Sequence, residues 1–204
     1  VKAILASRNQ GKLREFKALF ESSGLELLSL SGHPEIGELK EEGKTFLENA
    51  RSKAWTVTRL TGLPALADDS GLAVEALSGR PGVYSARYAG DGADDQDNFL
   101  KLLEELNSTP PDKRQAAFIC CLVLALPDGR EVVAEGRLEG LIAPEPRGER
   151  GFGYDPVFYL PDRGATVAQI GAEEKNKISH RARAAAKLVE ELNRLGLAGG
   201  EGKC

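Results

Sequence analysis

Four acidic residues draw attention by type and spacing: Glu41, Glu42 and the adjacent pair Asp68-Asp69. Carboxylates are hard oxygen ligands that suit Mg²⁺, an ion that bridges readily to phosphate oxygens. Two acids at one turn could hold an ion between them while one activates a water. For Glu41 and Glu42 an ordinary exposed acidic loop competes strongly with that reading. It competes less well for Asp68 and Asp69, which stand between the apolar runs Ala65-Leu66-Ala67 and Leu72-Ala73-Val74. A buried carboxylate needs a partner or a metal.

A second group could handle the anion such a metal would accompany. Ser7-Arg8-Asn9-Gln10-Gly11-Lys12 reads as a loop feeding a helix, where unsatisfied backbone donors favour negative charge. Lys12 adds a full positive charge, and Ser7 and Asn9 add hydrogen bonds. An ordinary strand-to-helix turn fits equally well. A Walker A loop does not, because Leu13 follows Lys12 where Ser or Thr is required. Lys53 lies in a predicted helix and faces solvent unless that helix borders a cleft.

Two further stretches could recognise a base. In Gly151-Phe152-Gly153-Tyr154-Asp155-Pro156 the glycines permit close backbone approach. Phe152 or Tyr154 could stack on a ring, and Asp155 could accept from a ring N–H. Composition alone favours a tight turn with core-facing aromatics. In Lys175-Asn176-Lys177-Ile178-Ser179-His180-Arg181, Ser179 can cap a final helix. His180 and Arg181 then fall in its first turn, where cations oppose the helix dipole and so point to a ligand. Neutral His180 could donate to a keto oxygen; a solvated charged turn is the alternative.

The elements that must position these residues are legible from periodicity. Residues 3–6 read as a buried strand and 12–22 as a helix, with Leu13, Phe16, Leu19 and Phe20 at helical spacing. Residues 25–30 read as a strand. Residues 45–60 read as a helix opened by a Thr45/Glu48 capping box. Residues 94–106 form another helix, 116–126 the strongest strand, 131–135 its hairpin partner, and 137–142 an extension of the same sheet. Residues 157–160 are a strand and 179–195 a helix. The acids Asp68 and Asp69 then fall at a strand end or turn. The sum is an α/β body with a largely antiparallel middle portion.

A net charge of −4 implies no broadly basic nucleic-acid face, so positive charge for a polyanion must be local. Cys120, Cys121 and Cys204 offer no CxxC spacing, which argues against structural zinc and suits a reducing compartment. The apolar run at 116–126 is too short to span a membrane and no leader pattern is visible, so the cytoplasm is the expected location.

Seven short motifs occur in order: Ala6-Ser7-Arg8-Asn9-Gln10-Gly11-Lys12, Glu41 with Gly43-Lys44-Thr45-Phe46, Glu48-Asn49-Ala50, Ala67-Asp68-Asp69-Ser70-Gly71, Pro81-Gly82-Val83-Tyr84-Ser85-Ala86-Arg87-Tyr88, Gly151-Phe152-Gly153-Tyr154-Asp155-Pro156 and Ile178-Ser179-His180-Arg181. On them the chain, from Lys2 to about Leu195, resembles the Ham1-like inosine/xanthosine triphosphate pyrophosphatase family. Each motif is weak alone, and the ordered set is specific. Arg8 and Gln10 vary the first loop, and Glu42 adds an acid beside Glu41.

The resemblance implies a two-lobed, mixed-sheet α/β fold of the ITPase-like type with a central cleft. It implies one such domain over 1–196 and a homodimer with 81–88 near its contact; residues 197–204, after Gly196 stops the last helix, read from the sequence itself as a flexible tail. It implies Mg²⁺-dependent hydrolysis of non-standard purine nucleoside triphosphates (ITP, dITP, XTP) to the monophosphate and pyrophosphate, with no stable nucleic-acid or membrane partner. By resemblance, Ser7, Arg8, Asn9, Gln10, Gly11 and Lys12 grip the triphosphate and Lys53 faces phosphate. Glu41 and Asp68 bind Mg²⁺, while Asp69 accepts the proton of the attacking water or adds a metal ligand. Ser70 contacts the nucleotide, and Phe152, Gly153, Tyr154, Asp155, Lys175, His180 and Arg181 surround the base. A broader nucleotide pyrophosphatase or phosphatase on the same scaffold, and a nucleotide-binding regulator without turnover, are the alternatives; Glu41, Asp68 and Asp69 argue against the regulator.

Overall fold

Strand β5 shows how pattern becomes structure: over Glu131–Ile142, Val132, Ala134, Gly136 and Leu138 are buried while the residues between them are largely exposed. Such alternation is what a sheet with one covered face imposes. The computed structural model describes residues 1–197, except the side chain of Ala172. The expected tail at 197–204 lies outside the described residues apart from Leu197, which packs against a hydrophobic core. Cys204 lies outside them as well.

The remaining strands are β1 (Lys2–Leu5), β2 (Glu26–Ser29), β3 (Ala65–Val74), β4 (Gln115–Ala125), β6 (Phe158–Leu160) and β7 (Ala165–Thr166). They form one sheet in the order β2-β1-β3-β4-β5-β6-β7. β1 runs parallel to β2 and β3, whereas β6 is antiparallel to β5 and β7. The fold is mixed α/β, as expected. The helices are α1 (Gln10–Phe20), α2 (Phe46–Thr61), α3 (Asp95–Glu105), α4 (Ala172–Ile178) and α5 (His180–Arg194).

By its internal contacts the chain divides into two compact units. Unit 1 holds residues 1–69, 120–136 and 181–204, and unit 2 holds 70–119 and 137–180. Each has its own core. Unit 1 packs Phe16 and Phe20 of α1, Leu5, Leu27 and Leu66 of the parallel strands, Leu122 and Leu124 of β4, and Ala184, Leu188 and Leu192 of α5. Unit 2 packs Leu72, Leu102, Leu106, Phe118, Leu138, Tyr154 and Phe158. The chain passes from one unit to the other at 69/70 within β3, at 119/120 within β4, at 136/137 within β5 and at 180/181, where α5 begins.

Two expectations need correction. The acids Asp68 and Asp69 are not at a turn: β3 runs unbroken through them, from Ala65 to Val74. The strand tolerates them because each is neutralised or hydrogen-bonded from other elements. Within residues 175–181, for which a solvated charged turn is the alternative, Lys175 to Ile178 instead belong to the short helix α4. Its Glu173 and Glu174 lie in the first turn and its Lys175 and Lys177 in the last, which complements the helix dipole.

Cys120 and Cys121 are buried, and Cys121 Sγ lies 3.7 Å from Glu135 Oε2. Burial, with Glu135 adding to it, pushes the Cys121 thiol up to about 12, so this cysteine is inert. Among the described residues no helix is long and apolar enough to cross a membrane.

Candidate active site

In unit 1 the acids meet their counter-charges. Asp68 is 2% exposed, and Lys12 Nζ donates to both of its carboxylate oxygens, at 3.1 and 2.8 Å. Lys53 is only 6% exposed, so the solvent-facing reading of this lysine fails. Its Nζ donates to Glu41 Oε1 at 2.7 Å and lies 3.6 Å from Asp69 Oδ1. Arg181, at the start of α5, is buried and pairs with Glu15 of α1 at 3.2 Å. It is also among the cations that act electrostatically on Asp68.

The two adjacent acids are driven in opposite directions. Burial alone would raise the Asp68 pKa, but Lys12, Arg181 and Lys53 together hold it well below the ordinary carboxylate range. At Asp69 burial wins: Lys53 and Asn49 pull the pKa down, Glu41 and Asp68 push it up, and the net shift is upward. Lys53 is raised as well, because Asp68, Asp69 and Glu41 outweigh the burial that opposes its charge.

Asn49 belongs to this site although sequence reasoning gave it no role. It is 1% exposed, its Nδ2 donates to Asp69 Oδ2 at 3.0 Å, and its Oδ1 accepts from the Gly43 amide at 2.7 Å. One amide thus orients Asp69 and pins the loop that carries Glu41. A Cβ at Gly43 would meet Asn49 Oδ1 at 2.7 Å, so only glycine allows that approach. The available signal was spacing: Asn49 and Lys53 are one turn apart on the same face of α2. Glu42, by contrast, is exposed and pairs with Lys40 at 3.4 Å.

The first loop is used differently from a bare anion cradle. Asn9 caps α1, and its Oδ1 accepts from the Gly11 and Lys12 amides at 2.8 and 3.1 Å. Those two donors are therefore satisfied within the protein. The Ser7 hydroxyl accepts from the Asn9 amide at 3.2 Å, and Gln10 Nε2 reaches Ser31 Oγ at 3.4 Å. Arg8 donates to the carbonyl oxygens of Ile36 and, at 3.5 Å, His33, so its guanidinium straps the segment leading toward Glu41. Ser7, Arg8, Lys12, Glu41 and Lys53 line one cavity of about 200 Å³, with Gly37 and Glu38 at its wall.

Unit 2 gathers the other candidates. Asp155 is 3% exposed; its Oδ2 accepts from the Phe152 amide at 3.0 Å and from Lys175 Nζ. Lys175 also lies over the Phe152 ring, 4.4 Å from its centroid, while that ring is 54% exposed. Tyr154 is buried and donates its hydroxyl hydrogen to the Ser85 carbonyl at 2.8 Å, so it anchors the loop. Gly151 has φ +83°, and a Cβ there would fall 2.0 Å from Asp155 Oδ2. His180 is buried, stacked on Phe118 with centroids 5.1 Å apart. Ser70 is half-buried in β3, and Ser179 sits in extended conformation between α4 and α5. The structure thus brings Phe152, Asp155 and Lys175 together, and places Arg181 with the charged groups of unit 1.

Among the described residues no three acidic, His or Cys side chains converge as a ready-made metal cage. Mg²⁺ does not require one: it is commonly held by one or two carboxylates together with substrate phosphates and water. Glu41 and Asp69, both within reach of the same Lys53 ammonium, and the neighbouring Asp68 supply hard oxygen donors of that kind. The donor set fits the ion.

Comparison with known proteins agrees with this arrangement of elements and motifs. The model of the Ham1 family matches residues 3–191. A dITP/XTP pyrophosphatase of Geobacter sulfurreducens is 50% identical over 194 residues, spanning 95% of this chain and 98% of that protein. One of Geobacillus kaustophilus is 50% identical over 200 residues, spanning 98% and 97%. The solved structure of the Staphylococcus aureus Ham1 protein matches with a TM-score of 0.88 at 40% identity, covering 96% of this chain and all of the other. Since the match spans nearly the whole sequence and the whole fold, this chain belongs to the Ham1 family and is a hydrolase.

Proposed function

We propose that this protein hydrolyses non-standard purine nucleoside triphosphates (dITP, ITP and XTP) to the monophosphate and pyrophosphate in the presence of Mg²⁺, and so keeps them out of nucleic acids. The observation that carries this reading is the charge cluster of unit 1, where Lys12 and the buried Lys53 face Glu41 and the buried Asp68 and Asp69. The names of the relatives point the same way: they are dITP/XTP pyrophosphatases.

Water attacks the α-phosphorus, and the bond to the oxygen bridging to the β-phosphate breaks as the new P–O bond forms. Asp69 takes the water's proton; burial makes it a stronger base than an ordinary aspartate, and Asn49 fixes its orientation. Lys12 and Lys53 move from the carboxylates to the phosphates and stabilise the negative charge that develops on the departing pyrophosphate. Glu41 and Asp68, with Asp69 beside them, would hold Mg²⁺, which neutralises phosphate charge when bound. No covalent enzyme intermediate is needed.

Base selection falls to unit 2. Phe152 offers an exposed ring for stacking, and Lys175 an ammonium for a 6-keto oxygen. Adenine presents an amino group there, so donor would face donor. A buried polar group left unpaired costs about 1–3 kcal/mol, roughly tenfold to a hundredfold in selection. The proposal includes a homodimer, for which the 57% exposed Tyr84 within residues 81–88 is a suitable contact.

The test is product analysis with dITP, XTP, ITP, GTP and ATP at equal concentration, with and without Mg²⁺. Mg²⁺-dependent pyrophosphate release favouring dITP, XTP and ITP is expected. Orthophosphate release, or equal rates on ATP, would replace this reading with a broad nucleotide phosphatase or pyrophosphatase.

A further inference from the structure

Phe152 is an exposed aromatic on a backbone held from both sides. Its own amide donates to Asp155 Oδ2 at 3.0 Å, and the next amide, that of Gly153, donates to Asp95 Oδ2 at 2.6 Å. The first tether is internal to the loop. The second comes from the first turn of α3, 58 residues away in sequence. Gly153 has φ +62°, a left-handed conformation that favours glycine. Asp95 is not needed to cap its helix. Asp94 is the N-cap, and its side chain and that of Asp97 form a complete capping box. The carboxylate of Asp95 is thus spare for helix formation and is spent on the loop.

A ring that stacks on a ligand binds more tightly when its backbone is already fixed, because less freedom is lost on binding. We infer that Asp95 is a positioning residue for the base-stacking platform: by holding the Gly153 amide it fixes Phe152 beneath the Lys175 ammonium and so sets affinity for the purine. This inference rests on the proposed reading of unit 2 as the base-recognition unit. Asp95 acts through the backbone of Gly153.

The test compares Asp95→Ala and Asp95→Asn with the wild-type protein. The side-chain carbonyl of asparagine still accepts a hydrogen bond, and alanine cannot. Asp95→Ala is expected to raise KM for dITP about five- to tenfold with kcat within about twofold, while Asp95→Asn keeps KM within about twofold of wild type. Hydrogen exchange in the peptide containing residues 151–155 is expected to quicken in Asp95→Ala and stay slow in Asp95→Asn. Both variants keep the Asp94/Asp97 cap and are expected to fold. An unchanged KM in Asp95→Ala overturns the inference. So does a kcat that falls as much as KM rises, or an asparagine variant that behaves like alanine, which would assign the effect to charge at the helix end. If the wild-type protein shows no turnover of dITP, the proposed function fails; unchanged exchange in Asp95→Ala would then refute the tether on its own.

Discussion

Replacing Lys53 with methionine removes one charge from the centre of the unit 1 cluster and keeps most of its apolar stem. Glu41, Asp68 and Asp69 there face Lys12 and Lys53, while Arg181, itself paired with Glu15, also acts on Asp68. Removing one partner of a buried pair costs about 3–5 kcal/mol, because a charge is left uncompensated. Two features place Lys53 toward the lower end: the Glu41 side chain is 35% exposed, and the Asp69 contact is a 3.6 Å ion pair without a hydrogen bond. A loss of about 2–3 kcal/mol is expected. For a chain of this length that lowers Tm by roughly 5–10 °C. The second half of the prediction concerns the metal. In the wild-type protein each of these acids already faces a lysine, so Mg²⁺ without nucleotide is expected to leave Tm unchanged. In Lys53→Met the freed acids should bind it. At about 10 mM Mg²⁺ and a Kd of about 1 mM, the gain is about 1.4 kcal/mol, or roughly 3–5 °C. Thermal melts of both proteins with and without Mg²⁺ decide the matter. A variant within 2 °C of wild type, or equal Mg²⁺ shifts in both, would refute the charge accounting.

Asn49→Ala removes the donor that favours the Asp69 carboxylate, so the Asp69 pKa should rise further and the acidic limb of the pH–rate profile should move to higher pH, with kcat down about tenfold. A profile that keeps its acidic limb would detach Asn49 from the proton acceptor. Glu131 accepts from Arg51 Nε and Nη2 at 2.9 and 2.7 Å and from Trp55 Nε1 at 2.9 Å, and the Arg51 hydrogen bonds, opposed by burial and aided by Trp55, lower its pKa. The folded value lies below the unfolded one, so this contribution is complete above the ordinary glutamate pKa and fades as pH falls through the folded value. Stability measured by urea unfolding should therefore depend less steeply on pH below about 4.5 in Glu131→Gln than in wild type. Lys175→Ala should reduce the preference for dITP over dATP by about tenfold, and an unchanged ratio would remove Lys175 from keto recognition.

The helices of this chain were legible because their signals are local. Apolar spacing marked α1, α3 and α5, and Thr45 with Glu48 announced α2 by a capping box that the structure contains in full. Strand β3 was read as interrupted because adjacent aspartates resemble a turn. What allows them inside a strand is a lysine 56 residues away and an asparagine 20 residues away, neither visible in a local window. Helix α4 escaped because seven residues with Ile178 as their only large apolar side chain carry little periodicity. Its charge order, acids first and lysines last, was the readable sign. Motif order singles these residues out, but it does not show that Arg8 holds backbone carbonyls, or that Asp155 already engages Lys175.

The two aspartates of β3 illustrate how environment divides labour between identical side chains. Neighbours in a strand point to opposite faces, so Asp68 and Asp69 meet different partners although their backbones are continuous. Asp68 has both oxygens on Lys12 and further cations nearby, and these hold its pKa well below the ordinary carboxylate range. Asp69 has one amide hydrogen bond and a more distant ammonium, and burial lifts its pKa. Environments that push two pKa values apart are a means of assigning an acid–base pair its roles. On the proposed reading Asp69 is the group suited to take a proton, and Asp68 the permanent anion suited to a cation. The same geometry bears on how substrate enters. A cluster whose acids and lysines already face one another gains little from a bare metal ion or a bare polyanion, since either would leave charges of one sign without partners. A triphosphate accompanied by its cation lets lysines and carboxylates change partners together, with no charge stranded in between. Binding of the pair is then an exchange within a network whose lysines already hold carboxylates in the free protein.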